Sequence, residues 1–436
     1  MSKTNSPMKT QAESKNHSTD RVRRFFANLG PGLITGAADD DPSGISTYSV
    51  TGASFGYMPL WTALFSFPLM AAVQLMCARL GLVTGRGLAG VLRRYYPRWV
   101  LWSACALLIV ANVFNIGADL GGMAEATEMM TGIKSYYWTP LYTMLIISLL
   151  FFSSYRHIAR IFKWLTMVLF AYIAAAFLAR PDWHSVLSAT LVPRVEWSSA
   201  FLATFVGILG TTISPYLFFW QASQEVEKDR AEGKRTVKQR EGATVKELKV
   251  ARTDVFTGMF FSNLVMYFII LTTAATLHAH GQNKIETARE AAEALRPLAG
   301  KGAYLLFTLG LIGTGILAVP VLAGSAAYAV AEAAAWRGTL EDRPGLSRKF
   351  YALIAVAMTV RSGVGFCRLQ RGEDALLFCS AQWGACAAFD CLSSTADEQI
   401  RNNGHSSQFA STALFRMDNG STYDCRSCRD GCDHVE

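Results

Sequence analysis

Residues 35–49 read TGAADDDPSGISTYS. Three consecutive carboxylates, Asp39, Asp40 and Asp41, run straight into Pro42, Ser43 and Gly44. Apolar stretches flank them, LGPGLI before and VTGASFGYMPLWTALF after. One aspartate at a bilayer centre costs about 2.5–3.5 kcal/mol, so three in a row are unlike filler. Proline gives a helix no N–H and disfavours a helical conformation in the residue before it. A helix running through this stretch is therefore expected to break at DPSG, with Gly44 loosening the next turn. Asp41 abuts the break, where a carboxylate meets freed backbone carbonyls. Such hard oxygen donors suit Mg²⁺, Mn²⁺ or Ca²⁺. Asp41 is the foremost candidate ligand; Asp39 and Asp40 are expected at a cavity mouth, hydrated or paired, with Asp40 a vestibule residue.

A second interruption lies at GILGTTISPYLFFWQ, where Gly210, Thr211, Thr212, Ser214 and Pro215 divide an apolar run. The carbonyls or side chains of Gly44, Thr211 and Ser214 are the next candidates to ligate a cation, and Pro42 and Pro215 set the two breaks. Asp119, inside another long apolar stretch, either lines the cavity or orients its helix. Other polar residues carry blander expectations. Asn112 and Asn115 are read as helix-packing hydrogen bonds. Gln221 and Gln224 face a vestibule or form an interfacial polar end. His157, His278 and His280 lie at span ends or in loops, and Cys77 and Cys105 are ordinary buried thiols. Gly310, Gly313 and Gly315 allow close helix packing; with no strand–turn–helix around them they form no nucleotide loop.

The elements that must position these groups are membrane helices. Of the 436 residues 51% are hydrophobic and 17% charged, against about 25% charged in ordinary soluble chains; the mean hydropathy is +0.23. The apolar residues come in blocks long enough for a hydrocarbon core of about 30 Å. Nine spans are expected, near 30–54, 59–81, 99–128, 136–154, 161–179, 198–222, 255–278, 303–331 and 350–360, the last too short to cross. No signal peptide is recognised, and residues 1–25 read as a cytoplasmic tail. With that tail inside, the inner segments hold 26 Lys and Arg and the outer ones 7, the expected bias. The net charge of +8 follows from it and is no nucleic-acid signal. The inner segment 223–254, containing EKDRAEGKRTVKQREGATVKELK, reads as a solvated cytoplasmic connector with some helical character; a regulatory or lipid-contact role is the lesser reading. The breaks fall in spans one and six, the pattern of a carrier built from two five-helix inverted repeats with its substrate site near the bilayer midplane.

The segments GPGLITGAADDDPSGISTYS, NVFNIGADLGGMAEA and TTISPYLFFWQASQEVE resemble the Nramp family of divalent metal transporters, from about residue 28 to about residue 360. The resemblance implies an all-α, LeuT-type fold with broken first and sixth helices. It also implies carriage of Mn²⁺ or Fe²⁺ by alternating access, commonly together with protons, with the metal as substrate and no resident cofactor. The family's first-helix motif is Asp-Pro-Gly-Asn; here Asp41, Pro42, Ser43 and Gly44 stand in its place, so the asparagine ligand is replaced by glycine. The sixth-helix motif is Met-Pro-His with a metal-binding alanine carbonyl before it; here Thr211, Ser214, Pro215 and Tyr216 occupy those positions. Tyr216 is thus expected in the vestibule where the family has histidine. In the third helix Gly122 stands where the family has a proton-transferring glutamate. Loss of the thioether removes the soft ligand that favours transition metals, and a site of hard oxygens and water suits a hydrated ion such as Mg²⁺. The sequence thereby resembles the Nramp-related magnesium branch, with proton coupling weak or lost.

From residue 361 the text changes character. The apolar block collapses, and seven of the nine cysteines follow: Cys367, Cys379, Cys386, Cys391, Cys425, Cys428 and Cys432. A shifted reading frame near residues 358–364 is the favoured reading, giving a non-membrane tail over 361–436 after a transporter domain over 26–360, in which case the chain is an inactive, truncated transporter. A genuine soluble tail and a metal-binding tail through Cys425, Cys428, Cys432 and His434 are the alternatives. For the whole chain the rivals are a LeuT-type carrier of organic substrates, which the acidic DDDP argues against, and a membrane receptor or scaffold. An enzyme is not expected: there is no HExxH and no nucleophile–base pair at helical spacing.

Overall fold

The computed structural model describes residues 31–152, 170–283, 285, 288–336, 338–342 and 345–364. Among them the only regular elements are helices. The first span is two half-helices, α1 (Pro31–Asp39) and α2 (Pro42–Phe55). Then come α3 (Trp61–Thr84), the short α4 (Leu88–Tyr95), α5 (Arg98–Thr131) and α6 (Ser135–Phe152). Two nine-residue helices follow, α7 (Phe170–Leu178) and α8 (Trp183–Leu191). The second broken span is α9 (Ser199–Thr212) and α10 (Pro215–Ala231). The chain continues through α11 (Val237–Arg240), α12 (Val245–Thr276), α13 (Ala288–Ala333) and α14 (Arg348–Val364).

Among the described residues six helical stretches are long and apolar enough to cross a membrane. Three of the nine expected spans are not among the six. The first span is not one continuous helix, because its break leaves pieces of 9 and 14 residues. Much of 161–179 lies outside the described residues. The stretch at 350–360 belongs to a helix of 17 residues, longer than expected. His157, the tail 1–25 and residues 365–436, with the seven late cysteines, also lie outside the described residues. Phe65, Leu69, Trp99, Leu141 and Met144 are at least half exposed, as side chains facing lipid are. The most apolar window of α13 is 83% buried and that of α6 only 22%, so α13 is central and α6 peripheral.

The inner connector is shorter than the 223–254 read from composition. Helix α10 runs to Ala231 and α12 begins at Val245, leaving 232–244 between them. Nor is all of it solvated: Glu225, Asp229 and Arg240 are buried. Arg240 donates to the carbonyls of Gly85, Lys234 and Arg235 at 3.2, 3.0 and 2.9 Å, pinning the connector beneath α3. Gly85 closes α3 in the left-handed conformation at φ 61°, and a Cβ there would meet Arg240.

The two broken spans form the middle of the bundle. Helices α1 and α2 pack on α12, and α2 also on α9, α5 and α13. Helix α1 approaches α12 backbone to backbone, since a Cβ on Gly32 would lie 2.7 Å from the backbone of Asp254 and Val255. The Asp254 carboxylate accepts from Gly32 N–H at 2.7 Å and Leu33 N–H at 3.2 Å. It thus satisfies orphan donors at the α1 N-terminus from a partner 222 residues away.

Candidate metal-ion site

The first break occupies Asp40 and Asp41, with Pro42 opening α2. It begins one residue before the DPSG reading and ends at Asp41 rather than running on to Gly44. Proline is tolerated in the first helical turn, where its missing N–H leaves no bond unmade, so it starts the second half-helix rather than lying in a gap. Asp41 is the N-cap: its Oδ1 accepts from Gly44 N–H at 2.6 Å and from the Ser43 hydroxyl at 2.8 Å. One oxygen is thereby fixed, and the carboxylate is held in one orientation at the positive end of α2. Gly44 lies inside the first turn of α2, giving its N–H to Asp41 with its carbonyl in the helical ladder. It neither loosens the turn nor offers an obvious ligand atom; it gives space, since a Cβ there would stand 3.2 Å from Asp41 Oδ1.

Asp119 reaches the same helix end from α5. It is fully buried, and its Oδ1 accepts from Ser43 N–H at 3.1 Å. The α2 N-terminus therefore holds two carboxylates, both deep in the bundle. The vestibule position expected for Asp40 is not found: Asp39 and Asp40 are each 1% exposed. A mouth position follows if the helix breaks after the acidic run. The break falls within it, so the run is drawn to the centre. Ser262 of α12 donates to Asp39 Oδ2 at 2.5 Å.

The second break occupies Ile213 and Ser214. The Ser214 hydroxyl donates back to the carbonyls of Gly210 and Thr211 at 3.1 and 2.7 Å, closing the end of α9. The Thr211 hydroxyl donates to Gly207 and Ile208 carbonyls at 3.2 and 3.0 Å. Both hydroxyls spend their protons on the helix and keep lone pairs as acceptors. Tyr216, also buried, donates to the Ala38 carbonyl at 2.9 Å, and Tyr48 lies 3.5 Å from the Thr212 hydroxyl. The two breaks are thus tied to each other across the chain.

Gly122, which stands at the position of the glutamate in the motif it resembles, has a steric role. A Cβ there would stand 3.1 Å from Pro42 Cβ, and a Cβ on Gly315 of α13 would stand 3.1 Å from Pro42 Cγ. The two glycines let α5 and α13 close on the proline that opens α2. Asn112 donates to the Leu322 carbonyl and the Ser325 hydroxyl at 2.9 and 2.8 Å, the packing role read for it. Gln221 is neither vestibular nor interfacial. It is fully buried, accepts from the Thr35 hydroxyl at 2.7 Å and donates to Glu225 at 3.0 Å. His278 and His280 are exposed, and Cys77 and Cys105 are buried thiols. Asp254 and Ser262 of α12 carry no motif in the sequence that marks them as partners of α1.

Two discontinuous helices meeting at a buried, carboxylate-bearing centre inside a helical bundle are the arrangement of a LeuT-type fold. Solved structures bear out the fold: a manganese transporter of Eremococcus coleocola matches with a TM-score of 0.61, at 20% identity over 84% of this chain and 76% of that one. Mhp1, a nucleobase-cation-symport-1 family transporter, matches with a TM-score of 0.57 at 13% identity over 86% and 78%. The chain belongs to the Nramp family, whose model, natural resistance-associated macrophage protein-like, matches residues 32–383. The match continues past the limit near residue 360 read from the motifs. Similar curated proteins include the divalent metal cation transporters MntH of Mesorhizobium japonicum, 32% identical over 67% of this chain and 64% of that protein. The MntH of Deinococcus radiodurans is 29% identical over 70% and 69%. The chain thus spans about two thirds of the length of these relatives, which are carriers with metal as their substrate, not enzymes.

Proposed function

We propose that this chain is a secondary carrier of divalent metal ions, working by alternating access with the ion bound between the two breaks. The observation that carries the reading is the buried Asp41 carboxylate, fixed through one oxygen at the start of α2. Asp41 is the principal ligand, with the oxygens of Thr211 and Ser214 next and Asp119 as a second negative charge nearby. Pro42 and Pro215 set the geometry, and Tyr216 lines the pocket where the family has histidine. Gly44 contributes room for a larger, hydrated ion rather than a donor atom.

All these donors are oxygens, and none is a thioether. A hard-oxygen site loses the preference for softer transition ions and suits Mg²⁺ and Mn²⁺ carried with part of their water. With glycine at 122 and tyrosine at 216, proton coupling through those two positions is lost.

The test is uptake by the full chain in liposomes, with Mn²⁺ and Mg²⁺ competing against Cd²⁺ and a pH dye reporting proton flux. Mg²⁺ is expected to inhibit Mn²⁺ uptake at concentrations within about an order of magnitude of Mn²⁺ itself, with no stoichiometric proton entry. Strong preference for Cd²⁺, or protons tracking metal one for one, rejects the hard-ion reading. No uptake of any divalent ion rejects the carrier reading.

A further inference from the structure

Four carboxylates are buried around the first break: Asp39, Asp40, Asp41 and Asp119. Among the described residues no Lys, Arg or His forms an ion pair with any of them. Two of the four are answered by the positive end of α2, since Asp41 accepts from Gly44 N–H and Asp119 from Ser43 N–H. The other two stand at the opposite pole. Asp39 is the last residue of α1 and Asp40 follows it, so both lie where the helix dipole is negative. The nearby Ala38 carbonyl is already taken by Tyr216. Asp39 Oδ1 and Asp40 Oδ1 have no hydrogen-bond partner among the described residues, while Asp39 Oδ2 accepts from Ser262.

Uncompensated buried charge is strongly unfavourable, and one ion at Asp41 leaves this pair unanswered. We propose that Asp39 and Asp40, with the Ser262 hydroxyl oxygen, hold a second hard divalent cation, separate from the ion carried at Asp41. Two carboxylates balance a charge of two, and the all-oxygen donor set suits Mg²⁺ or Mn²⁺. Held there, the ion joins the end of α1 to α12 and neutralises the negative pole of α1 while the transported ion comes and goes. A contrasting acidic group shows what an answered cluster looks like. Asp229, Glu232 and Glu247 bring their oxygens within 4.8 Å of one another. There the Lys234 ammonium already bonds Asp229 at 2.6 Å and Glu247 at 3.1 Å. Among the described residues the Asp39–Asp40 pair has no such cation.

The inference rests on the proposed transport site only in counting its ion separately. The experiment is Mn²⁺ binding to the purified full chain near neutral pH, counted by equilibrium dialysis. Two Mn²⁺ per chain are expected for the wild type, one for the double variant D39N/D40N and one for D41N. A single Mn²⁺ on the wild type overturns the second site, because protons then balance the pair. Two Mn²⁺ on D39N/D40N overturn it as well. If D39N/D40N loses one ion while D41N keeps both, the second site stands and the transport-site assignment fails. Should the double variant not fold, S262A keeps both carboxylates and is expected to weaken one of the two binding steps about tenfold; two unchanged steps count against the site.

Discussion

At the scale of the residue, Asp41 does two jobs that substitution can separate. Its Oδ1 caps α2, and in the proposed function its negative charge holds the ion. Asparagine caps a helix about as well as aspartate, so D41N is expected to fold and to lose the charge alone. Mn²⁺ uptake in liposomes should fall by about 10- to 100-fold, a loss of roughly 1.4–2.8 kcal/mol in ion binding, while thermal stability in detergent changes little. D41A removes the cap as well and should add a stability loss of about 1 kcal/mol. Equal uptake by wild type and D41N would remove Asp41 from the site. Gly122 makes the complementary case, a residue defined by what it leaves out. Restoring the family's glutamate with G122E drives a side chain towards Pro42, already 3.1 Å from where a Cβ would stand. Overpacking of this kind costs about 1–3 kcal/mol, so a lowered denaturation midpoint is expected, with G122A showing a smaller drop. A glutamate accommodated at no cost would mean that α5 has room to spare beside Pro42.

At the scale of the element, the half-helices were legible because their cause is local. Proline beside a carboxylate run, and proline after glycine and threonines, announce breaks that any reader of Pro42 and Pro215 can find. The exact seat of the first break was less legible, since Pro42 serves equally as a stop for one helix and a start for the next, and only the Asp41 cap decides. What holds the half-helices was hidden. Asp254 meets Gly32, Ser262 meets Asp39 and Gln221 meets Thr35 across sequence separations of 222, 223 and 186 residues. No periodicity encodes such pairings, and in a helix buried all round a polar residue reads the same whether it clamps a neighbour or packs idly. The α1–α12 contact follows from that clamp and from small residues. A Cβ on Gly36 would meet the backbone of Gly258, and one on Gly258 the backbone of Gly32 and Leu33. G36V is therefore expected to force α1 away from α12, destabilising the bundle by roughly 1–3 kcal/mol and reducing uptake. Retained stability together with retained uptake would show that α1 moves freely at no cost.

At the scale of the whole molecule, charge sets orientation. We propose that the N-terminal tail and the connector at 232–244 face the cytoplasm, because the inner segments carry 26 Lys and Arg against 7 outside. Juxtamembrane Lys and Arg near an anionic inner leaflet are worth about 1 kcal/mol each, so the imbalance is far larger than any single helix needs to settle its direction. The connector also offers an internal control. Lys234 bonds Asp229 and Glu247, and the Asp229 hydrogen bond above all holds its ammonium above the usual lysine range, against an opposing effect of burial and with a smaller contribution from Glu247. Lys238, a few residues on, is exposed. An ammonium with a raised pKa has less free amine at any pH below that value, so reductive methylation at mildly alkaline pH should modify Lys238 before Lys234. In inside-out vesicles both should react with a membrane-impermeant reagent in that order, and in right-side-out vesicles neither should. Labelling from the outer face would reverse the topology. Equal rates at the two lysines would show that the Asp229–Lys234–Glu247 contacts do not persist in the membrane, and the connector would then lose its anchor to α10 and α12 while keeping the one Arg240 makes to Gly85 beneath α3.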